Sequence, residues 1–349
     1  MNTVKANYVR PIDLRNGRVD LSHGAGGRAM AQLISELFAR HLHNPYLAQG
    51  DDGAALPAAA GRLVLATDAH VVSPLFFPGG DIGCLSVHGT LNDVAVMGAT
   101  PLYLTASFIL EEGFPLADLD RIVASMAKAS RDAGVPVVTG DTKVVERGKA
   151  DGVFISTTGL GVLREGVSLS GANAQVGDAI LVSGRIGDHG MAIMSVREGL
   201  AFDAPIVSDT AALHGMIGEL LDEVPNLHTL RDATRGGLAA TLNEICHQSG
   251  VGMMLEESRI PVSPTVEAAC ELLGLDPLFV ANEGKILIIC PQEDAERVLA
   301  CLQNHPLGRE ACMIGKVCAD PHHFVQMRTG MGGSRIVDWM SGDQLPRIC

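Results

Sequence analysis

The stretch Val135-Pro136-Val137-Val138-Thr139-Gly140-Asp141-Thr142-Lys143 decides the fold class. Its first half is an apolar, β-branched run of strand length, and its second half delivers a glycine and three polar residues. Just upstream, Leu116, Leu119, Ile122, Val123 and Met126 recur at helical spacing, and Gly134 closes that helix. A helix, a glycine stop and a buried strand in that order make an α/β unit.

The same alternation extends on both sides. Met30, Leu33, Ile34, Leu37 and Phe38 predict a helix after the segment Ser22-His23-Gly24-Ala25-Gly26-Gly27-Arg28-Ala29. Leu63-Val64-Leu65-Ala66-Thr67 predicts a strand ending at Asp68, and Pro74 to Gly80 reads as a loop. A helix carries Val87 to Gly98, Leu102 to Leu110 is strand-like, and Asp151 to Thr158 opens the last strand of this half. An α/β domain over 21–165 is therefore expected, preceded by a loose extension over 1–20.

A glycine-rich join from Gly166 to Gly177 marks a boundary. A second α/β domain, 166–325, follows. It has a strand at Asp178–Gly184 and a helix after Gly187-Asp188-His189-Gly190. Another helix follows Leu230-Arg231-Asp232-Ala233-Thr234-Arg235-Gly236-Gly237, and Ala281-Asn282-Glu283-Gly284-Lys285 leads into the strand Ile286–Ile289. Residues 326–349 read as an arm. Its stem, Met340 to Leu345, has glycine and polar residues and no sustained apolar period, and it ends in Pro346-Arg347-Ile348-Cys349. A thiol on a mobile arm could be loaded by one protein, react in a site and unload onto another.

Composition narrows the function. Acidic residues outnumber basic ones 40 to 26, which argues against a nucleic-acid surface and leaves room for a nucleotide if metal ions neutralise clustered carboxylates. Gly, Pro, Asp or Arg breaks every apolar run before it reaches membrane-spanning length, and Met1 to Ala6 lacks an apolar signal core. The eight cysteines include no C-x-x-C pair and read as reduced residues of a cytosolic protein.

Asp51, Asp52, Asp68, Asp93 and Asp141 each sit beside Gly, Thr or Asn rather than in a solvated charge run. One such aspartate is usually a cap or turn residue, but several together would repel unless a cation is present, and Mg²⁺ suits hard oxygen ligands. No Walker A lysine loop occurs. The glycines from Gly24 match G-x-G-x-x-A, yet Val19-Asp20-Leu21 is too short and polar for the parallel strand a dinucleotide site requires. A phosphate-cradling loop and a flexible hinge both remain open. Lys143 could meet phosphate or oxyanion charge, and Glu283 is a candidate base. Arg231, Asp232 and Arg235 could hold phosphate or merely pair with each other.

These motifs taken together resemble the HypE family of hydrogenase maturation factors, within the aminoimidazole ribonucleotide synthetase-like (PurM-like) ATP-binding superfamily. The resemblance rests on H-G-A-G-G from His23, G-D-D-G-A from Gly50, T-D from Thr67, H-G-T-L-N-D-V-A from His88 and G-D-T-K-V from Gly140. It is completed by G-D-H-G from Gly187, R-D-A-T-R-G-G from Arg231, A-N-E-G-K from Ala281 and the terminal P-R-I-C.

The resemblance implies two α/β domains with the N-terminal sheets of two copies forming a dimeric barrel, and ATP at the domain junction. It implies ATP or phosphate contacts from His23, Gly24, Gly26, Gly27, Asp52, Thr67, Asp68, Asn92, Asp93, Gly140, Asp141, Thr142, Arg231 and Asp232. Mg²⁺ ligands would be Asp52, Asp68, Asp93 and Asp141, and the catalytic residues Cys349, Lys143 and Glu283. The implied activity is ATP-dependent dehydration of a carbamoyl group on Cys349 to a thiocyanate. HypF would be the carbamoyl donor and a HypC–HypD complex the cyanide acceptor. Two other readings stay open: a small-molecule kinase of the same superfamily, and a nucleotide-gated scaffold with a docking tail. Arg347 is expected to favour the Cys349 thiolate.

Overall fold

The computed structural model describes residues 11–200, 202, 205–340 and 347–349. The arm segment 341–346 and residues 1–10 lie outside the described residues.

A 3-10 turn at Leu21–Gly24 leads through the glycine loop into α1 (Arg28–Leu33), a π-helical stretch at Ile34–Phe38, and α2 (Ala39–Leu42). The first sheet contains β1 (Leu63–His70), β4 (Ala99–Glu111), β5 (Val137–Val145) and β6 (Val153–Leu163), in the order β1-β6-β4-β5. A two-stranded ribbon, β2 (Phe76–Phe77) with β3 (Gly80–Asp81), precedes α3 (Ile82–Val96), and α4 (Leu116–Ala133) carries the chain from β4 to its parallel partner β5.

α3 starts where Asp81 accepts hydrogen bonds from the backbone N–H groups of Gly83 and Cys84. It is buried nearly all round because it packs on β1 and β6 on one side and meets β8 and α6 on the other. α4 is amphipathic and ends where Gly134 takes the left-handed conformation, φ 69°.

The second sheet has seven strands, ordered β13-β12-β9-β11-β7-β10-β8. They are β7 (Ala179–Val182), β8 (Thr229–Asp232), β9 (Gly252–Glu256), β10 (Ile286–Cys290), β11 (Cys312–Cys318), β12 (Val325–Arg328) and β13 (Ser334–Ile336). Helices α5 (Asp188–Arg197), α6 (His214–Glu223), α7 (Gly237–Ser249), α8 (Pro264–Leu273) and α9 (Ala295–Asn304) accompany it. One apolar core lies under the first sheet and reaches α5, α8 and Ile348; two others cover the faces of the second.

Two expectations change. Residues 11–20 are not loose: Val19 is buried, its N–H bonds to the Phe114 carbonyl, and Ile12 N–H bonds to Glu36. The arm does not begin at 326, because β12 and β13 belong to the second sheet and Val337 is buried. β4 and β6 are the two central strands of the first sheet, and its edges are β1 and β5.

Candidate active site

Chain segments far apart in sequence deliver acidic groups and a thiol to one small cavity. Asp68 comes from β1, Asp93 from the last turn of α3, Asp232 from the end of β8, Glu283 from the loop before β10, and Cys349 from the tail. Ala69, His70, Gly89, Thr234 and Arg235 complete the lining of this partly open cavity, whose volume is about 40 Å³. That is room for roughly three waters, so it suits a carbamoyl group and cannot hold a nucleotide. Gly89 keeps the space open. A Cβ there would stand 3.2 Å from His70, 3.6 Å from Asp68 Oδ2 and 3.8 Å from Glu283 Oε2.

The loops that carry these groups are tied by buried polar side chains. Asn282 accepts from Gly187 N–H at 2.7 Å and donates to the Ala233 carbonyl at 2.8 Å, joining three of the sequence motifs. Asp209 accepts the N–H groups of Glu283 and Gly284 at 3.0 and 3.2 Å and pairs with Lys285 at 3.1 Å. Gly284 must be glycine, since a Cβ would lie 1.8 Å from the Asp209 carbonyl oxygen. Thr90 donates to Asp68 Oδ2 at 3.3 Å, holding it beside α3. Buried networks of this kind are stable only when fully satisfied, and here one atom is not: Glu283 Oε1 is buried without a partner.

Burial, and then the neighbouring Asp232 and Asp68, push Asp93 up to about 8. Burial also raises Asp232 to about 6. Glu283 is raised well above the usual carboxylate range, first by burial and then by Asp209, Asp232, Asp68 and Asp93. The Cys349 thiol is raised by burial and by the Glu283 carboxylate it meets; Arg235 opposes the rise. Arg347 points away, paired with Asp151, so the cation facing the thiol is Arg235.

Crowded carboxylates that hold protons for want of countercharge fit a hard cation. Among the described residues no three His, Cys, Asp or Glu side chains form a ready metal cage.

The predicted residues divide. Asp68, Asp93, Asp232, Glu283 and Cys349 meet in the cavity. Asp141 and Lys143 do not. Asp68, Thr157, Ala106 and Gly140 form one row across the sheet and share a face, whereas Asp141 lies in the next row with Ser107 and Ser156, on the opposite face. Lys143 follows Asp141 by two residues, shares that outer face and bonds to it at 2.9 Å.

The glycine loop sits at the β5 edge with them, Gly24 against Val144, and Gly140 has no room for a side chain beside Ala106. Asp51 and Asp52 are exposed in the loop before β1. Thr67 bonds to the Thr157 carbonyl and the Thr158 hydroxyl on the outer face. Arg231 is taken up by Glu244 at 2.6 Å. The Asn92 amide donates to the Ala211 and Glu283 carbonyls and accepts from Leu213 N–H, so it ties α3 to the second domain. His23 is buried and hydrogen-bonded to Asp20 N–H. Sequence reasoning missed His70, Gly89 as a space-keeper, Asn282 and Asp209. Asn282 stood inside a recognisable motif, whereas Val207-Ser208-Asp209-Thr210 carries no local signal.

The AIR synthase related protein N-terminal domain matches residues 50–163, and the corresponding C-terminal domain matches 175–328. Carbamoyl dehydratase HypE of Cupriavidus necator is 66% identical over 348 residues, 99% of each chain. The chain belongs to the HypE carbamoyl dehydratase family. A crystal structure of HypE in complex with ATP superposes with TM-score 0.91 at 50% identity, covering 94% of this chain and 99% of that one. HypE from a HypE–HypF complex superposes with TM-score 0.78 at 50% identity, covering 88% and 99%. HypE membership accounts for the two-domain α/β architecture, and no helix among the described residues is long and apolar enough to cross a membrane.

Proposed function

We propose that this chain is an ATP-dependent carbamoyl dehydratase acting on its own Cys349, making a thiocyanate that supplies cyanide for [NiFe]-hydrogenase maturation. The observation that carries it is that the Cys349 thiol and Glu283, one of whose carboxyl oxygens is buried without a partner, line the same small cavity.

An amide oxygen is a poor leaving group, so the terminal phosphoryl group of ATP is transferred to the carbamoyl oxygen, with release of ADP. Glu283 takes one N–H proton as the C=N bond forms, and loss of the second with the C–O bond releases phosphate and leaves S–C≡N. The sum is S-carbamoyl plus ATP giving S-cyano, ADP, phosphate and one proton. Mg²⁺ held by Asp68 and Asp93 would spread the phosphoryl charge. Arg235 faces the sulfur and can offset negative charge built there.

ATP is bound by a HypE relative, and HypF accompanies another in a complex. HypF is accordingly the proposed carbamoyl donor, and a HypC–HypD complex the proposed acceptor. The experiment is intact and peptide mass on protein loaded with HypF and carbamoyl phosphate. Carbamoyl should appear on Cys349 alone, and Mg·ATP should then remove one water from that peptide. Label on Cys84 or Cys246, or water loss without ATP, would defeat the reading.

The outer face of the first sheet is proposed as the homodimer interface. Leu63 and Leu65 on its edge strand are 59% and 70% exposed, with Ile109 also uncovered. A second copy there would place Asp141 and Lys143 between protomers, where Lys143 could reach nucleotide phosphates that it cannot meet from its own protomer's thiol cavity. Sedimentation should give a dimer at micromolar concentration; a monomer would remove this role for Lys143.

A further inference from the structure

The tail that brings Cys349 to Glu283 is held by a set of main-chain contacts that no part of the dehydration chemistry requires. Val71 N–H donates to the Cys349 carbonyl at 3.0 Å and Ser73 N–H to the Arg347 carbonyl at 3.1 Å. The Arg197 guanidinium bonds to the Ser73 and Arg347 carbonyls together. Ile348 is buried in the first core. Arg347 is left-handed, φ 53°, a conformation that a non-glycine residue keeps only where its surroundings impose it.

The deepest contact comes from His189. Its Nε2 lies 2.8 Å from the Ile348 carbonyl and its Nδ1 2.8 Å from Ser208 Oγ. The protons can be assigned. The Ile348 carbonyl can only accept, so the ring proton of the neutral imidazole sits on Nε2, and Nδ1 accepts the Ser208 hydroxyl proton; Thr210 N–H donates to Ser208 Oγ at 3.2 Å. His189 is fully buried, with Phe77 edge-on at 5.5 Å, and burial keeps it neutral by lowering its pKa.

The residue after Ser208 is Asp209, which holds Glu283 and Gly284 in place. One short segment therefore grips the tail through Ser208 and His189 and the base through Asp209.

We propose that His189 and Ser208 form a peptide-binding latch that recognises the main chain of the residue before the acceptor cysteine and sets the reacting carbon against Glu283. This rests on Cys349 being the acceptor. Both are positioning residues; neither touches the reacting atoms. The ligand class is a peptide end whose penultimate carbonyl is free and whose penultimate side chain is apolar. Recognition through a carbonyl leaves the cysteine side chain open to either thiol or carbamoyl.

The test compares the full-length protein with Ser208→Ala, His189→Leu and His189→Gln. Cys349 alkylation by iodoacetamide is followed by peptide mass, and thiocyanate formation is followed after HypF loading. Ser208→Ala and His189→Leu should raise Cys349 alkylation roughly tenfold, the scale of one lost buried hydrogen bond. They should lower thiocyanate formation by a similar factor, with loading unchanged. His189→Gln keeps an N–H within reach of Ile348 and should restore slow alkylation.

Wild-type alkylation in both Ser208→Ala and His189→Leu would overturn the latch. If His189→Leu does not fold, Ser208→Ala, which removes one hydroxyl, decides alone. A wild-type protein that makes no thiocyanate would sink the dehydratase reading and leave the alkylation rates to judge the latch.

Discussion

Glu283→Gln should make thiocyanate at least about a hundredfold more slowly than the wild type, the usual scale for losing a positioned base. Gln preserves the shape of the side chain, the hydrogen bonds from Glu283 N–H to Asp209 and from Asn92 to the Glu283 carbonyl, and the lining of the cavity. It removes only the ability to take a proton. Carbamoyl loading of Cys349 and ATP binding should therefore be unchanged, and carbamoylated protein should accumulate when ATP is added.

The carboxylate is suited to the task because burial and four neighbouring aspartates raise its proton affinity. Raised that far, the group rests protonated until a bound cation offsets the surrounding charge and frees the carboxylate. It then serves as base and holds the abstracted proton well. Rapid single-turnover measurement of the cyano peptide reads the effect directly. A Gln variant within a few-fold of the wild type would mean that the N–H protons leave by another route.

The second large effect is on stability against pH. Asp93 titrates at about 8 in the folded protein against 3.8 for the free group. The folded state thus keeps a proton that the unfolded chain has lost between those values, so unfolding releases it and stability falls as pH rises across that window. Asp232, raised to about 6, adds to the lower half of the slope in the same direction.

Asp93→Asn removes the ionisation and should flatten the upper half. The variant should then be more stable than the metal-free wild type at pH 8 to 9 by on the order of a few kcal/mol, since each tenfold change in proton affinity corresponds to about 1.4 kcal/mol. Mg·ATP should restore the wild type and do little for the variant, which lacks the carboxylate. Denaturant melts at several pH values, with and without Mg·ATP, measure both halves. Parallel slopes for the two proteins would show that Asp93 is not the strained carboxylate.

Both effects depend on a juxtaposition that sequence reasoning reached only in part. Local patterning was enough for the elements: the period of α4 with its closing Gly134, the β-branched run of β5 and the motif glycines set helices, strands and the α/β class without any tertiary information. The linear motifs with the terminal Arg-Ile-Cys were likewise enough for the family, because each keeps its residue types in consecutive order.

What no linear motif holds is which face of a strand a residue takes once the sheet pairs. Asp68 and Asp141 read alike in sequence, yet the register puts them on opposite faces, because side chains alternate along a strand and the alternation acquires meaning only when one face is buried by α3. Asn92 drew notice in sequence only as part of a motif, whereas its tie to the second domain exists because that domain supplies the backbone groups its amide bonds. Asp209 and Ser208 carried no signal, because their importance lies in what they touch: Glu283, which follows 74 residues later, and His189, which touches the tail.

The raised proton affinities of Asp93 and Glu283 belong to the same class. An isolated aspartate or glutamate titrates as its type dictates; burial against other carboxylates, which the folded chain alone creates, is what turns these residues into a cation site and a base.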